Sequence, residues 1–154
     1  MNTLRLIACL ISCAGLMALG GCSSVPKPTK VQLALEAAAS VNPDVRNRPS
    51  PVVVRVFELK SLAAFNGSDF FSLWDHDKET LGTELVGRDE YTLRPGDSLR
   101  LDKTLQPETL YVGAIAAFRD LERSQWRANV RTPSRKVKSV TVRVTGKAVS
   151  VEAK

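Results

Sequence analysis

The stretch "PVVVRVFEL", Pro51 to Leu59, continued by "KSLAAFNGSDFFSLWDHD", Lys60 to Asp77, decides the fold. Val52 to Phe57 is apolar at every position except Arg55, the pattern of a central strand buried on nearly both faces. After Ser61 the apolar spacing changes from two to three and four. Phe70 and Phe71 fall one turn from Trp74, and Ser68 or Asp69 stands where a helix takes its N-cap. The stretch therefore predicts a central strand followed by a short helical insertion. Its aromatics are expected to pack a helix face onto the strands rather than to form a ligand box.

On either side of this stretch the period is two. Val31, Leu33, Leu35 and Ala37 alternate with Gln32, Ala34 and Glu36, and Leu85 to Leu93 carries a weaker strand pattern. Arg94-Pro95-Gly96-Asp97 has the residues of a turn. Leu99, Leu101 and Leu105 follow it, alternating with Arg100, Asp102 and Thr104. Leu110 to Phe118, then Trp126, Ala128 and Val130, then Val140, Val142 and Val144 supply three more strands. Gly146-Lys147 turns the chain into Ala148 to Val151. Seven or eight short strands with turns between them predict a mainly β fold, a two-sheet β-sandwich over residues 31–154.

The N-terminus has a different character. After one positive charge at Arg5, residues 6–19 are apolar or small throughout, shorter than the roughly 20 residues that a bilayer span needs and suited to a signal-peptide core. Leu19-Gly20-Gly21-Cys22 resembles a bacterial lipobox, in which the cysteine is acylated and becomes the new N-terminus. An ordinary signal peptide would instead leave Cys22 as a plain thiol. The chain's three cysteines, Cys9, Cys13 and Cys22, favour lipid, because the mature protein then exposes no free thiol to an oxidising compartment. One acyl chain anchors only marginally, at about 0.8 kcal/mol per buried CH₂, whereas a triacylated cysteine holds firmly. Residues 1–21 are thus read as a lipoprotein signal peptide and 22–30, with the proline-broken "SSVPKPTK", as an acylated tether. Ser23 and Ser24, with no Asp at the second mature position, resemble the enterobacterial pattern for the outer membrane.

Catalytic chemistry finds little material. His76, between Asp75 and Asp77, is the one histidine. Without a second His or Cys it makes a poor metal ligand, and no Ser-His-Asp or Cys-His arrangement forms without it. There is no glycine-rich phosphate loop. The expectation is a non-enzyme with no cofactor and no metal. The formal charge of +6 falls by one with Arg5. From Arg119 to Lys138 basic residues dominate, and even spacing on strands predicts several arginines on one face. That face is either merely solvated or meets anionic lipid or an acidic partner; nucleic acid is implausible for an exported lipoprotein. The connection "SVNPDVRNRPSP", Ser40 to Pro51, is longer than two neighbouring strands require. Its prolines stiffen it, which lowers the entropy lost on binding. Composition leaves a decorative and a binding role equally open.

Five segments in order, "VNPD" (41–44), "RPSPVVVRVFELKS" (48–61), "FFSLWDHDKETLGTELV" (70–86), "LRPGDSLRL" (93–101) and "YVGAIAAFRDLERSQWRANV" (111–130), resemble the outer-membrane lipoprotein of type VI secretion systems, the TssJ/VasD family. The resemblance implies a transthyretin-like two-sheet sandwich with a helical insertion after the second strand. It implies residence at the outer membrane, facing the periplasm, and binding to the periplasmic part of the inner-membrane component TssM, so that the membrane complex is anchored. The family's contact element is the first inter-strand loop. It maps here to Val41 to Ser50, with Asn42, Pro43, Asp44, Val45, Arg46, Asn47 and Arg48 as the expected contacts, among which an arginine is the better candidate for a dominant contact. Two other readings compete. One is a transthyretin-like small-ligand carrier or hydrolase, which the single histidine and the ending "VSVEAK" disfavour. The other is a pilotin-like envelope lipoprotein of another assembly.

Overall fold

A computed structural model describes residues 28–132 and 138–154. Cys22, the signal peptide and the tether up to Lys27 lie outside the described residues, as do Arg135 and Lys136. Eight strands run in chain order as β1 (Thr29–Ala37), β2 (Val52–Leu59), β3 (Leu85–Leu93), β4 (Ser98–Leu105), β5 (Tyr111–Ala116), β6 (Arg127–Arg131), β7 (Ser139–Val144) and β8 (Val149–Ala153). They form two four-stranded sheets, ordered β4-β1-β7-β8 and β3-β2-β5-β6. All neighbours are antiparallel except β1 and β7, which run parallel with Leu33 beside Val140. β1 begins two residues before the alternation predicts, because Thr29 and Lys30 already pair with Leu105 and Thr104 of β4. No helix among the described residues is long and apolar enough to cross a membrane.

Between the sheets lies the main core, to which β1 contributes Val31, Leu33 and Leu35, β2 contributes Val52, Val54 and Val56, and β7 contributes Val140, Val142 and Val144. The opposite face of β2 is buried too. Phe57 and Leu59, with Ile115 of β5, pack under Phe65, Phe70, Leu73 and Leu81 of three short helices, α1 (Ala63–Gly67), α2 (Phe70–Asp75) and α3 (Asp77–Leu81). The molecule is thus a sandwich with a helical third layer on one sheet, and β2 is apolar on both faces because both are covered.

The helices of this layer are five or six residues long, too short to be stable alone. The Asp69 side chain caps α2, accepting from the Ser72 amide at 3.0 Å. Arginines of the sheet hold the layer down. Arg55 of β2 donates to the Trp74 carbonyl and stacks over its ring, 3.9 Å from the centroid. Arg127 of β6 donates to the Phe65 and Ser68 carbonyls at 2.6 and 2.8 Å, satisfying the end of α1. Arg88 of β3 pairs with buried Asp77 at 2.6 Å. Phe70 stacks on Trp74 (5.3 Å between centroids) and meets Trp126 edge-on, while Phe71 points out, 63% exposed. The three aromatics line no ligand box: one anchors, one covers, one is solvated.

At the end of the sandwich where β1 begins, buried Glu58 of β2 reaches across to Lys103 of β4 at 2.9 Å. Its other oxygen accepts from the Thr109 hydroxyl at 2.7 Å and the Gln106 amide at 2.9 Å. Burial alone would lower the Lys103 ammonium, but its hydrogen bonds to Asp89 and Glu58 outweigh that and raise it. This pair ties one sheet to the other through charge.

Gly113 of β5 sits directly under the Phe65 ring, and a Cβ there would lie 2.7 Å from Phe65 Cζ. Phe65 is fully enclosed and has nowhere to move. Gly113→Ala is expected to lower unfolding free energy by about 1–3 kcal/mol through overpacking. Urea denaturation checks it; an unchanged midpoint would show that the helical layer yields.

Candidate functional site

The connection from β1 to β2 is built outward from Val41, which is fully buried in the main core. The Ser50 amide donates to the Val41 carbonyl at 3.1 Å and closes the base of the loop. Asn42 follows with φ of +48°, a left-handed conformation that Asn adopts more readily than other non-glycine residues. It is only 4% exposed. Its amide nitrogen Nδ2 donates to the Pro51 carbonyl at 2.7 Å, and its Oδ1 accepts from the Arg119 backbone N–H at 2.9 Å. Its own backbone N–H donates to the Gly146 carbonyl at 3.0 Å. One residue therefore joins the β1–β2 loop to the β5–β6 and β7–β8 connections.

The tip is organised by Asp44. Its Oδ1 accepts from the Arg46 and Arg48 amides at 2.8 and 2.9 Å, and its Oδ2 meets the Arg48 guanidinium at 2.7–2.8 Å. The Asp44 amide donates to the Arg48 carbonyl, and the Asn47 amide returns to Asp44. Asn47, at φ +58°, makes the reversal. The Arg48 amide first, then its guanidinium and the Arg46 amide, hold the Asp44 carboxyl down at about 2. The ring so closed presents Val45, 101% exposed, together with Arg46.

The seven residues expected at a contact thus divide. Asn42 is turned inward as a structural bridge, Asp44 and Arg48 bond to each other, and Val45, Arg46 and Asn47 face out beside half-buried Pro43. Among the described residues the expected single basic face does not form. Residues from Phe118 to Ser124 make a loop and a 3₁₀ turn, so the strand period is broken between Arg119 and Arg127. Arg127 points onto the helical layer, whereas Arg119 and Arg123 stand exposed next to the β1–β2 loop. His76 lies exposed between α2 and α3, its Nδ1 3.7 Å from Glu79. Among the described residues no group of three or more His, Cys, Asp or Glu is placed to hold a metal ion. The bond from Arg119 to Asn42 had no sequence signal, since it joins a backbone group to a side chain 77 positions away.

Two consequences are measurable. The Asp44 carboxyl, ordinarily near 3.8, stabilises the closed tip fully above that pH and loses the tip as pH falls through about 2. Amide chemical shifts of Arg46 and Arg48 are therefore expected to hold steady to pH 3 and titrate below it. Asn42→Ala leaves the groups it bridges unpaired, and a loss of about 1–3 kcal/mol is expected in thermal or urea unfolding.

The family model described as "Type VI secretion lipoprotein, VasD, EvfM, TssJ, VC_A0113" matches residues 29–147. No curated protein matches the chain. Among solved structures, the T6SS lipoprotein TssJ1 from Pseudomonas aeruginosa is 36% identical, with a TM-score of 0.78 over 83% of this chain and 98% of that one. Serratia marcescens Lip, a membrane bound component of the Type VI Secretion System, is 26% identical, with a TM-score of 0.74 over 83% and 99%. A chain in a structure of the T6SS protein TssM C-terminal domain from EAEC is 22% identical, with a TM-score of 0.65 over 80% and 97%, and shares the fold. The family is one of secretion lipoproteins rather than of enzymes. On the family match and the likeness to TssJ1, the chain belongs to the type VI secretion lipoproteins of the TssJ/VasD family.

Proposed function

We propose that this lipoprotein is held at the outer membrane by acyl chains on Cys22, faces the periplasm, and binds the periplasmic domain of TssM through its β1–β2 loop, anchoring the type VI membrane complex. The observation that carries this reading is the polarity of the sandwich. β1 begins at Thr29, a few residues after Cys22, and its nine residues lead directly to the loop. At about 3.3 Å per residue the strand separates the two ends by roughly 30 Å. An anchor at one end therefore leaves the loop tip at the end remote from the lipid.

The stiffness of the loop supports the same reading. Asn42 and Asp44 fix its base and its tip before any partner arrives, so little ordering entropy remains to be lost on association. Val45 supplies an apolar contact and Arg46 a charged one, and the residues behind them hold the pair in place. Acylation raises the effective concentration of many copies facing one assembly, so a modest pairwise affinity suffices.

Two experiments test the proposal. Cys22→Ser is expected to release the protein from membranes and abolish type VI secretion; secretion that survives release would defeat the anchoring role. Titration calorimetry of a soluble form against the TssM periplasmic domain is expected to give saturable binding. That binding should weaken at least tenfold, about 1.4 kcal/mol, in Val45→Asp/Arg46→Ala. Equal binding by that variant would move the interface off the loop.

A further inference from the structure

Beside the loop tip lies a groove of about 780 Å³. One wall is the β1–β2 loop, with Pro43, Val45 and Asn47; the other is the β5–β6 connection, with Arg119 and Arg123, and Lys147 closes one side. The walls are fixed to each other. Asn42 accepts from the Arg119 amide, Lys147 pairs with Asp120 at 2.7 Å, and the Gln125 amide donates to the Lys147 carbonyl at 2.8 Å.

The charges around the groove are not balanced in what they offer. Asp44 is closed by Arg48, and Asp120 by Lys147; the latter bond, with the Arg123 charge behind it, holds the Asp120 carboxyl below its ordinary range. Those carboxylates are neutralised within the chain. Arg119 and Arg123 are exposed, and among the described residues no ion pair engages them, whereas Glu122 is the remaining exposed acid on the wall. The groove therefore presents free guanidinium groups and an apolar rim at Val45, on the end of the sandwich opposite Thr29. With the proposed acyl anchor on Cys22, lipid headgroups would lie at the other end, which leaves a protein as its occupant.

Resting on the proposed binding of TssM, we infer that the groove is the second half of that interface. It receives an extended acidic segment of the TssM periplasmic domain, whose carboxylates pair with Arg119 and Arg123 while Val45 covers an apolar residue beside them. Guanidinium forks suit carboxylates in a partly enclosed slot better than ammonium groups do, and a rigid two-walled groove fixes the register of an extended chain. The interface is then electrostatic on one side and apolar on the other, so its affinity falls with salt.

The test uses the full acylated lipoprotein in detergent micelles, with the TssM periplasmic domain of the same organism on a sensor surface, at 50 and 300 mM NaCl. Wild-type protein is expected to bind and to weaken several-fold at the higher salt. Arg119→Glu/Arg123→Glu is expected to bind at least tenfold more weakly at 50 mM and to lose most of the salt dependence. Arg100→Glu, on the outer face of the other sheet, serves as the charge control and should bind as wild type does. Wild-type binding that the double variant matches would overturn the groove and leave the loop reading intact; absence of wild-type binding would remove both. If the reversal disturbs the melting temperature, Arg119→Gln/Arg123→Gln carries the same comparison, since it brings no new charge beside the Asp120–Lys147 pair.

Discussion

The burial of β2 on both faces is the constraint from which the rest of this structure follows. Val52, Val54 and Val56 face the other sheet, and Phe57 and Leu59 face away from it. A two-sheet sandwich covers only the first set. The second would lie in water unless something packed on it, and the chain supplies that cover immediately, in the residues between β2 and β3. Because the helices there are too short to persist alone, the sheet must hold them, and it does so with Arg55, Arg88 and Arg127, whose guanidinium groups meet helix-end carbonyls and a buried carboxylate. An exposed Ile115 would be the consequence of a layer that failed to dock.

The two ends of the sandwich are built differently. Where β1 starts, Glu58 and Lys103 join the sheets through a nearly enclosed ion pair, and the crossover from β4 to β5 folds over it. Where β1 ends, the sheets are joined by loops instead, and Asn42 is the point at which those loops meet. A loop fixed at its base and at its tip behaves as an extension of the sheet. That rigidity is what lets an exposed valine and an arginine be held in a defined position far from the end where β1 begins.

The Ser40–Pro51 connection illustrates how far sequence reasoning reaches. Its prolines point to stiffness, and its length leaves a decorative and a binding role equally open. They did not say which of its polar residues face outward. Asn42 looks like a contact residue in a list of letters, yet it is among the most buried polar groups of the chain. Arg48 and Arg46 are equivalent on composition, but a four-residue spacing back to Asp44 engages one and leaves the other free. The run of arginines after Arg119 departs from expectation for a related reason: period two does not extend across a segment that coils into a 3₁₀ turn, so Arg119 and Arg123 line a groove while Arg127 covers the helices.

What the sequence determined by itself was local. Alternation placed the strands, the apolar run marked β2 as central, Asp69 capped its helix through its own neighbour three residues on, and Arg94 to Asp97 made a turn from its own bonds. Each of these rests on interactions within a few positions, which a pattern of letters can carry. Only the tertiary structure decided that the β1–β2 loop lies against the β5–β6 and β7–β8 connections, that Arg127 serves the helices, and that Glu58 is answered by Lys103. Those pairings bring together residues 45 to more than 100 positions apart, and they form only because two sheets stack in one register; no local preference of either partner contains them.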